Sequence, residues 1–395
     1  MFFTEGQFAK RGKSMNVAIL GFGTVGVGVY DILAEQNGIT VKYVLDIKKH
    51  EGLTAVSTTD INDILNDDSV DTVVEVIGGL HPAYEFITSS LKKGKNVITA
   101  NKLLISSYYK ELTELAKENS VALRYTAAVG GGIPWLVNLE RVSRVAKVCE
   151  VSGIMNGTSN YILDAMHTDK ADFAECLKVA QNLGYAERDP SADIDGIDTL
   201  CKVVLSANVA FSVAIDKEAV DVAGIRHIND SDIMICEELG RVCKLMGYAY
   251  RQDDSISVFV EPSFISNDAL EAGIHANLNL ISFEAEHVGR ESFYGFGAGR
   301  YPTAYNVVED CVDVAGGIKK PYNNIMNETV IDNSKLLHKY YVRSEYNNVW
   351  FGSLAKEQCG DGYITEAVSV SDMHKFYKEA ISSGNECFIA GITEI

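Results

Sequence analysis

Two stretches of this 395-residue chain hold residue types whose spacing could do chemistry. In the first, Gly21-Phe22-Gly23-Thr24-Val25-Gly26, a GxGxxG run follows a strand-like Met-Asn-Val-Ala-Ile-Leu and opens a helix-length segment at 25–35. Alone the motif is weak; between a strand and a helix it has a mechanism. Gly21 makes the tight turn, Gly23 lets backbone approach a pyrophosphate, and Gly26 lets helix pack on strand. The free N–H groups at Thr24, Val25 and Gly26 then face the anion at the positive end of the helix dipole. Asp46 lies 20 residues beyond Gly26, at the end of the second strand-like run, where a carboxylate accepts from both ribose hydroxyls of NAD. Lys48 and Lys49 beside it equally suit the 2′-phosphate of NADP.

The second stretch runs from Leu183 to Lys202. Five carboxylates (Glu187, Asp189, Asp193, Asp195 and Asp198) fall within twelve residues, and Lys202 follows. Asp198 and Lys202 are i and i+4 on a helix, so their side chains meet on one face. On a surface such a pair is worth only about 0.2–0.5 kcal/mol. Ile197, Leu200, Cys201, Val203 and Val204 crowd around this one, and in apolar surroundings its protonation matters. Next to a hydride-carrying cofactor, a lysine protonates a carbonyl oxygen as hydride reaches the carbon.

The other candidates are loops at element ends. Glu75-Val76-Ile77-Gly78-Gly79 and Thr99-Ala100-Asn101-Lys102 each close a strand-like run, and parallel sheets bind ligands at such carboxyl ends, which points Lys102 into a crevice. Val129-Gly130-Gly131-Gly132-Ile133-Pro134 reads as a glycine hinge or linker before a helix. Asn156-Gly157-Thr158-Ser159-Asn160 precedes a helix beginning near Ser159 and suits a carboxylate, or is an ordinary N-cap. Gly295 to Ala304 is a glycine-rich loop, ambiguous by itself.

These residues need a scaffold. Over residues 16–125, short β-branched runs alternate with helix-length segments (25–35, 82–93, 107–119), which predicts a doubly wound parallel sheet. After Gly130 strands and helices mix without alternation, with helices expected at 134–142, 159–166, 172–183, 194–211 and 230–247, as in an α+β domain. Strand-like Tyr340-Tyr341-Val342-Arg343 opens the last sixty residues. The fold class is therefore α/β, a Rossmann-like sheet plus an α+β domain and a small C-terminal segment.

Composition excludes several classes. At 47% hydrophobic and 23% charged the chain is globular, and no apolar run reaches the roughly 18 residues of a membrane span. A net charge of −19 repels nucleic-acid phosphates. Eight scattered cysteines, no CxxC, no HExxH and no apolar signal core argue for a reducing cytoplasm without zinc. Residues 1–14 read as a vector-derived or mis-assigned leader before Met15.

Taken in order, GFGTVG, TANK, VGGGIPW, SGIMNGTSNYIL, LGYAERDPSADIDGIDTLCK and GFGAGRYPTA resemble the homoserine dehydrogenase family over roughly three quarters of the chain. The resemblance implies reversible NAD(P)-dependent reduction of L-aspartate 4-semialdehyde to L-homoserine, a step toward threonine, methionine and isoleucine, in a homodimer or homotetramer. It divides the chain into a dinucleotide-binding domain (16–130, with a returning helix at about 300–318), a catalytic and dimerisation domain (131–299) and a shortened segment like a regulatory ACT domain (335–395).

Carried over residue by residue, Lys202 resembles the family's proton donor and acceptor, and Lys102 its second active-site lysine. Asp198 and Asp193 resemble its acidic residues around the substrate. Glu187 matches the carboxylate that meets the substrate amine, the Gly157–Thr158 turn meets its carboxylate, and Gly297 resembles a cofactor-contacting glycine. Gly21, Gly23, Thr24, Val25, Gly26, Asp46, Gly78, Thr99, Ala100 and Lys102 complete the expected cofactor set.

Two positions depart from the family. Thr126 stands where members often carry a glutamate that helps bind a structural Na⁺ or K⁺, leaving only the carbonyls of Val129, Gly131 and Ile133. No DxPG segment follows YYVR, so threonine feedback is not implied. The competing readings are another NAD(P) oxidoreductase of an amino-acid-derived carbonyl, or a non-catalytic NAD(P) sensor; the sensor has no need of the Asp198/Lys202 pair.

Overall fold

The computed structural model describes residues 14–318 and 329–393; of the leader expected at 1–14, all but residue 14 lies outside them. The described chain divides into two compact units. One runs up to Glu140 and resumes at Ala298; the other is Arg141–Gly297 together with the C-terminal segment.

In the first unit, β1 (Met15–Leu20), β2 (Ile39–Leu45), β3 (Val56–Thr58), β4 (Thr72–Glu75), β5 (Asn96–Thr99) and β6 (Leu123–Arg124) form one sheet in the order β3-β2-β1-β4-β5-β6. Every neighbour pair is parallel. Their apolar runs are continuous because both faces are covered. Val17, Ile19, Val74 and Ile98 pack with Val29 of the helix Thr24–Ala34 and with Ala304, Val307 and Cys311 of the helix Arg300–Ala315. Ala18, Leu20 and Val73 pack the other way, with Ile64 and Val70. This is the doubly wound arrangement, with the strand order reversing between β1 and β4.

The glycine run at 130–132 is a packed part of this unit and not a slack linker. Asn306 Nδ2 donates to the carbonyls of Gly131 (2.6 Å) and Ile133 (3.0 Å). A Cβ added to Gly132 would come within 2.8 Å of the Pro302 ring. The unit therefore continues past residue 130, most of the helix Trp135–Ser143 included.

The second unit holds β7 (Val148–Ile154), β8 (Asp221–Val222), β9 (Arg241–Arg251), β10 (Ile256–Ser266), β11 (Leu278–Ala285), β12 (Gly289–Phe296), β13 (Leu337–Ser344), β14 (Ala355–Cys359), β15 (Gly362–Thr365), β16 (Val368–Ser369) and β17 (Cys387–Thr393). Its main sheet runs β12-β11-β7-β9-β10-β17-β13-β15-β14. The helix Ile197–Phe211 packs on it, with Thr199 and Val203 against Gly247 of β9, where an added Cβ would meet them at 3.1 Å.

One expected element is corrected here. Residues 230–247 read as a single helix, but the helix is Asp230–Glu238; the chain turns at Gly240 (φ +69°) and β9 begins at Arg241. Cys243–Ala249 are buried on both faces between β7 and β10, and a continuous apolar run has no period that separates helix from strand.

The C-terminal segment follows the order β13, helix Val349–Leu354, β14, β15, helix Val370–Ser382, β17, with spatial order β17-β13-β15-β14. That is a split βαβ unit. It extends the main sheet, β17 pairing in parallel with β10. At the seam Glu261 of β10 is fully buried and accepts from His338 Nε2 (3.0 Å), His374 Nε2 (2.8 Å) and the Tyr340 hydroxyl (3.1 Å). Burial alone would push this carboxyl up; the two histidines outweigh it and hold it at about 2. No described helix is long and apolar enough to cross a membrane.

Candidate active site

The three glycines of the first motif differ in what surrounds them. Gly21 has φ +95°, and an added Cβ would lie 3.0 Å from the Ile77 backbone; one on Gly26 would lie 2.0 Å from the Gly21 carbonyl oxygen. The protein itself therefore demands both. At Gly23 an added Cβ meets nothing within 4 Å, so the open space belongs to a ligand. Gly23 is the N-cap of the helix Thr24–Ala34 and no side chain caps it, which leaves the N–H groups of Thr24, Val25 and Gly26 for an anion. Gly21 and Gly78 follow β1 and β4, the pair at which strand order reverses and where such sheets bind ligands. The residues present fit a dinucleotide.

Glu75 organises the rest of this crevice, a role the sequence reading did not give it. Buried at the end of β4, it accepts from Thr99 Oγ1 (2.6 Å) and from the N–H groups of Ile77 (2.8 Å) and Gly78 (3.2 Å). Burial pushes its carboxyl up against these bonds. Asn101 continues the network, its N–H on Thr99 Oγ1 (2.9 Å), its Nδ2 on the Gly79 carbonyl (2.6 Å) and its Oδ1 capping Leu104 N–H (3.1 Å). Ala100 and Lys102 are thereby held at the carboxyl end of β5, with half-buried Lys102 opening the helix Lys102–Ser107. Asp46 follows β2, paired with His50 Nε2 (2.8 Å) and accepting the Ile47 N–H (2.7 Å). Partial burial would raise its pKa, but these partners hold it below its ordinary value. Lys48 and Lys49 are exposed.

In the second unit, Lys202 and Asp198 are 5% and 6% exposed on the helix Ile197–Phe211. Lys202 Nζ donates to Asp198 Oδ2 (2.8 Å) and to the Met155 carbonyl (2.6 Å). Asn156 Nδ2 donates both to Asp198 Oδ2 (2.8 Å) and to Asp193 Oδ1 (2.6 Å). Its Oδ1 accepts the Ser159 N–H (2.7 Å), capping the helix Gly157–Thr168. Because a backbone N–H can only donate, that cap fixes the amide with its NH₂ toward the two carboxylates. Sequence reading found Asn156 as an N-cap and missed the bridge, for which spacing carries no signal.

Gly157 abuts the Asn277 carbonyl, which an added Cβ would approach to 2.5 Å. Thr158 Oγ1 donates to the Tyr185 carbonyl (2.7 Å), so at this turn donation to an anion falls to the first-turn N–H groups of Gly157 and Thr158. Glu187 is exposed on the loop after Tyr185 and is not drawn into the Asn156 network. Gly297 presses on Asn279, where an added Cβ would lie 2.0 Å from Nδ2. Asn279 is fully buried and neither atom of its amide has a partner among the described residues, a second position the sequence reading passed over.

The residues do not fit a cation cage. Asn306 takes the carbonyls of Gly131 and Ile133, and Thr126 is bound to buried Asp310 through N (2.9 Å) and Oγ1 (2.7 Å). Of the three expected carbonyl ligands, two therefore already accept hydrogen bonds from Asn306. No metal-binding group of His, Cys, Asp or Glu occurs among the described residues.

A doubly wound sheet with an open pyrophosphate turn, and a buried lysine clamped by a carboxylate, define an NAD(P)-dependent oxidoreductase. Sequence models described as homoserine dehydrogenase and as the homoserine dehydrogenase NAD-binding domain match residues 134–312 and 21–126. The homoserine dehydrogenase of Bacillus subtilis is 39% identical over 316 residues, 76% of this chain and 73% of the relative. That of Corynebacterium glutamicum is 35% identical, covering 84% of this chain and 80% of its own. A solved homoserine dehydrogenase from Thiobacillus denitrificans superposes with a TM-score of 0.85 at 28% identity, over 97% of this chain and 99% of that one. The chain belongs to the homoserine dehydrogenase family, enzymes that interconvert L-aspartate 4-semialdehyde and L-homoserine with NAD(P).

Proposed function

We propose that Lys202 exchanges the proton with the substrate's C4 oxygen. The observation that carries this reading is the burial of Lys202 between Asp198 and the Met155 carbonyl. NAD(P)H, when bound, supplies the hydride to the aldehyde carbon, and NAD(P)⁺ takes it back in reverse. Lys202 gives its proton to the oxygen as negative charge develops there; in oxidation, neutral Lys202 accepts it. Asp198 orients the amine, and Asn156 orients Asp198. The N–H groups of Gly157 and Thr158 take the substrate carboxylate, and Glu187 and Asp193 its ammonium side. The test is Lys202→Met, which keeps length and apolar contacts. We expect kcat to fall by about 10²–10⁴ with nucleotide binding retained; near-normal kcat with loss in Lys102→Met would exchange the two roles.

Asp46, held ionised by His50, supports NAD over NADP as the preferred cofactor, which parallel oxidation assays decide. The exposed edge strand β12, with Tyr294 and Phe296 more than half exposed, supports a homo-oligomer. Eight free cysteines support a cytoplasmic location. The split βαβ order of the C-terminal segment supports an ACT-like module.

A further inference from the structure

The second unit contains a cavity of about 270 Å³ that shares no lining residue with the Lys202 cluster. Asp164, His167, Glu237, Arg241, Lys244 and His275 supply its charged wall. The carboxylates there are already engaged: Glu237 by His167 Nδ1 (3.0 Å) and Lys170 Nζ (2.6 Å), Asp164 by His275 Nδ1 (2.8 Å) and the Ala276 N–H (2.7 Å).

The cations are not matched in this way. Lys244, 2% exposed on β9, donates to Asn160 Oδ1 (3.0 Å) and the Ile274 carbonyl (2.6 Å). Arg241 donates to the carbonyls of Phe264 (3.1 Å) and Thr393 (2.5 Å). Among the described residues neither makes an ion pair. His167 is a neutral spacer in this wall, its Nε2 accepting the Cys243 N–H (2.9 Å) while Nδ1–H faces Glu237.

A buried ammonium with only neutral acceptors is unfavourable until an anion joins it. Burial pulls Lys244 down to about 8, which leaves it mainly protonated at neutral pH with one N–H uncommitted. We propose that this cavity binds a small monocarboxylate, its oxygens meeting the remaining N–H of Lys244 and the guanidinium of Arg241. A single negative charge is selected because Asp164 and Glu237 stand in the same wall and repel a dianion. The volume, at the lower end of ligand pockets, admits a molecule of a few heavy atoms.

The test is binding of acetate to the NADH-saturated enzyme at constant ionic strength and pH 7, followed by ligand-observed NMR, with sulfate as the dianion control. Saturable millimolar binding is expected, at least tenfold weaker in Lys244→Gln and in Arg241→Gln and not displaced by L-homoserine. Absence of acetate binding overturns the proposal, as does sulfate binding more tightly. Displacement of acetate by L-homoserine with retention in Lys244→Gln overturns it too, since the anion then sits at the Gly157–Thr158 turn. Should Lys244→Gln not fold, half-exposed Arg241→Gln decides, and full-strength binding there overturns the assignment. No arm depends on turnover, so failure here is distinguishable from failure of the Lys202 reading.

Discussion

Asn156 Nδ2 and Lys202 Nζ each lie 2.8 Å from the same oxygen, Oδ2 of Asp198. One carboxylate oxygen thus receives an amide donor and the lysine amine. The amide donor is anchored at its other end by the Ser159 N–H, so the strand end at Met155 and the helix Gly157–Thr168 set the direction of Asp198 before substrate arrives. Pre-setting of this kind reduces the reorganisation left for the reaction itself.

Replacing Asn156 should therefore damage chemistry more than binding. Asn156→Ala removes the bridge and the cap; loss of a hydrogen bond to a charged group costs about 1.5–3 kcal/mol. We expect kcat to fall tenfold or more and the pH profile of oxidation to shift, with nucleotide Kd unchanged. An unaltered profile with only lowered thermal stability would make Asn156 a cap and nothing more.

The glycine triplet gives a contrast within one motif. Gly23→Val should fold normally, since its side chain enters open space, yet lose NAD(P) binding because it fills the pyrophosphate's place. Gly26→Val should fail to fold, because its Cβ would fall 2.0 Å from the Gly21 carbonyl oxygen. Thermal unfolding and nucleotide titration of the two variants separate these outcomes. A folded Gly23→Val with full affinity would remove the pyrophosphate from this turn.

How far the sequence was legible follows from the kind of interaction each residue makes. The parallel sheet was readable because strands buried on both faces repeat as β-branched runs between helices, and Asp198 with Lys202 was readable because helical spacing puts them together. Strand β9 was not, since a long apolar run suits a buried helix equally well. Glu75 and Asn156 escaped because partners of theirs are distant in sequence: Thr99 for Glu75, Asp193 and Asp198 for Asn156. The packing of the expected cation loop escaped for a similar reason, as nothing near Gly131 announces that Asn306, 175 residues away, donates to its carbonyl.

Glu261 makes the C-terminal seam sensitive to acid. Its carboxyl is held at about 2 in the folded protein against an ordinary 4.5, so its contribution is fully present above about pH 4.5 and is lost as pH falls through about 2. The full difference is on the order of 3 kcal/mol. Urea midpoints measured from pH 7 to pH 3 should fall more steeply for wild type than for Glu261→Gln, which has no such proton to bind. Parallel slopes would assign the acid sensitivity elsewhere.

The Lys202–Asp198 pair sets the direction of the pH effect on turnover. Oxidation of homoserine needs Lys202 without its proton, so the rate should rise toward alkaline pH, while reduction needs the ammonium and should fall there. A carboxylate 2.8 Å away favours the charged form of the lysine. Asp198→Asn removes that negative charge but keeps the shape and a hydrogen-bonding oxygen. The ammonium then releases its proton more readily, and the alkaline limb of homoserine oxidation should move to lower pH. The maximal rate should drop at the same time, because the lysine loses the partner that aims it. Stopped-flow rates of hydride transfer across pH, with NAD saturating, read both effects in one series. A limb that stays where it is in Asp198→Asn, or moves to higher pH, would mean that the proton leaving in oxidation does not pass through Lys202.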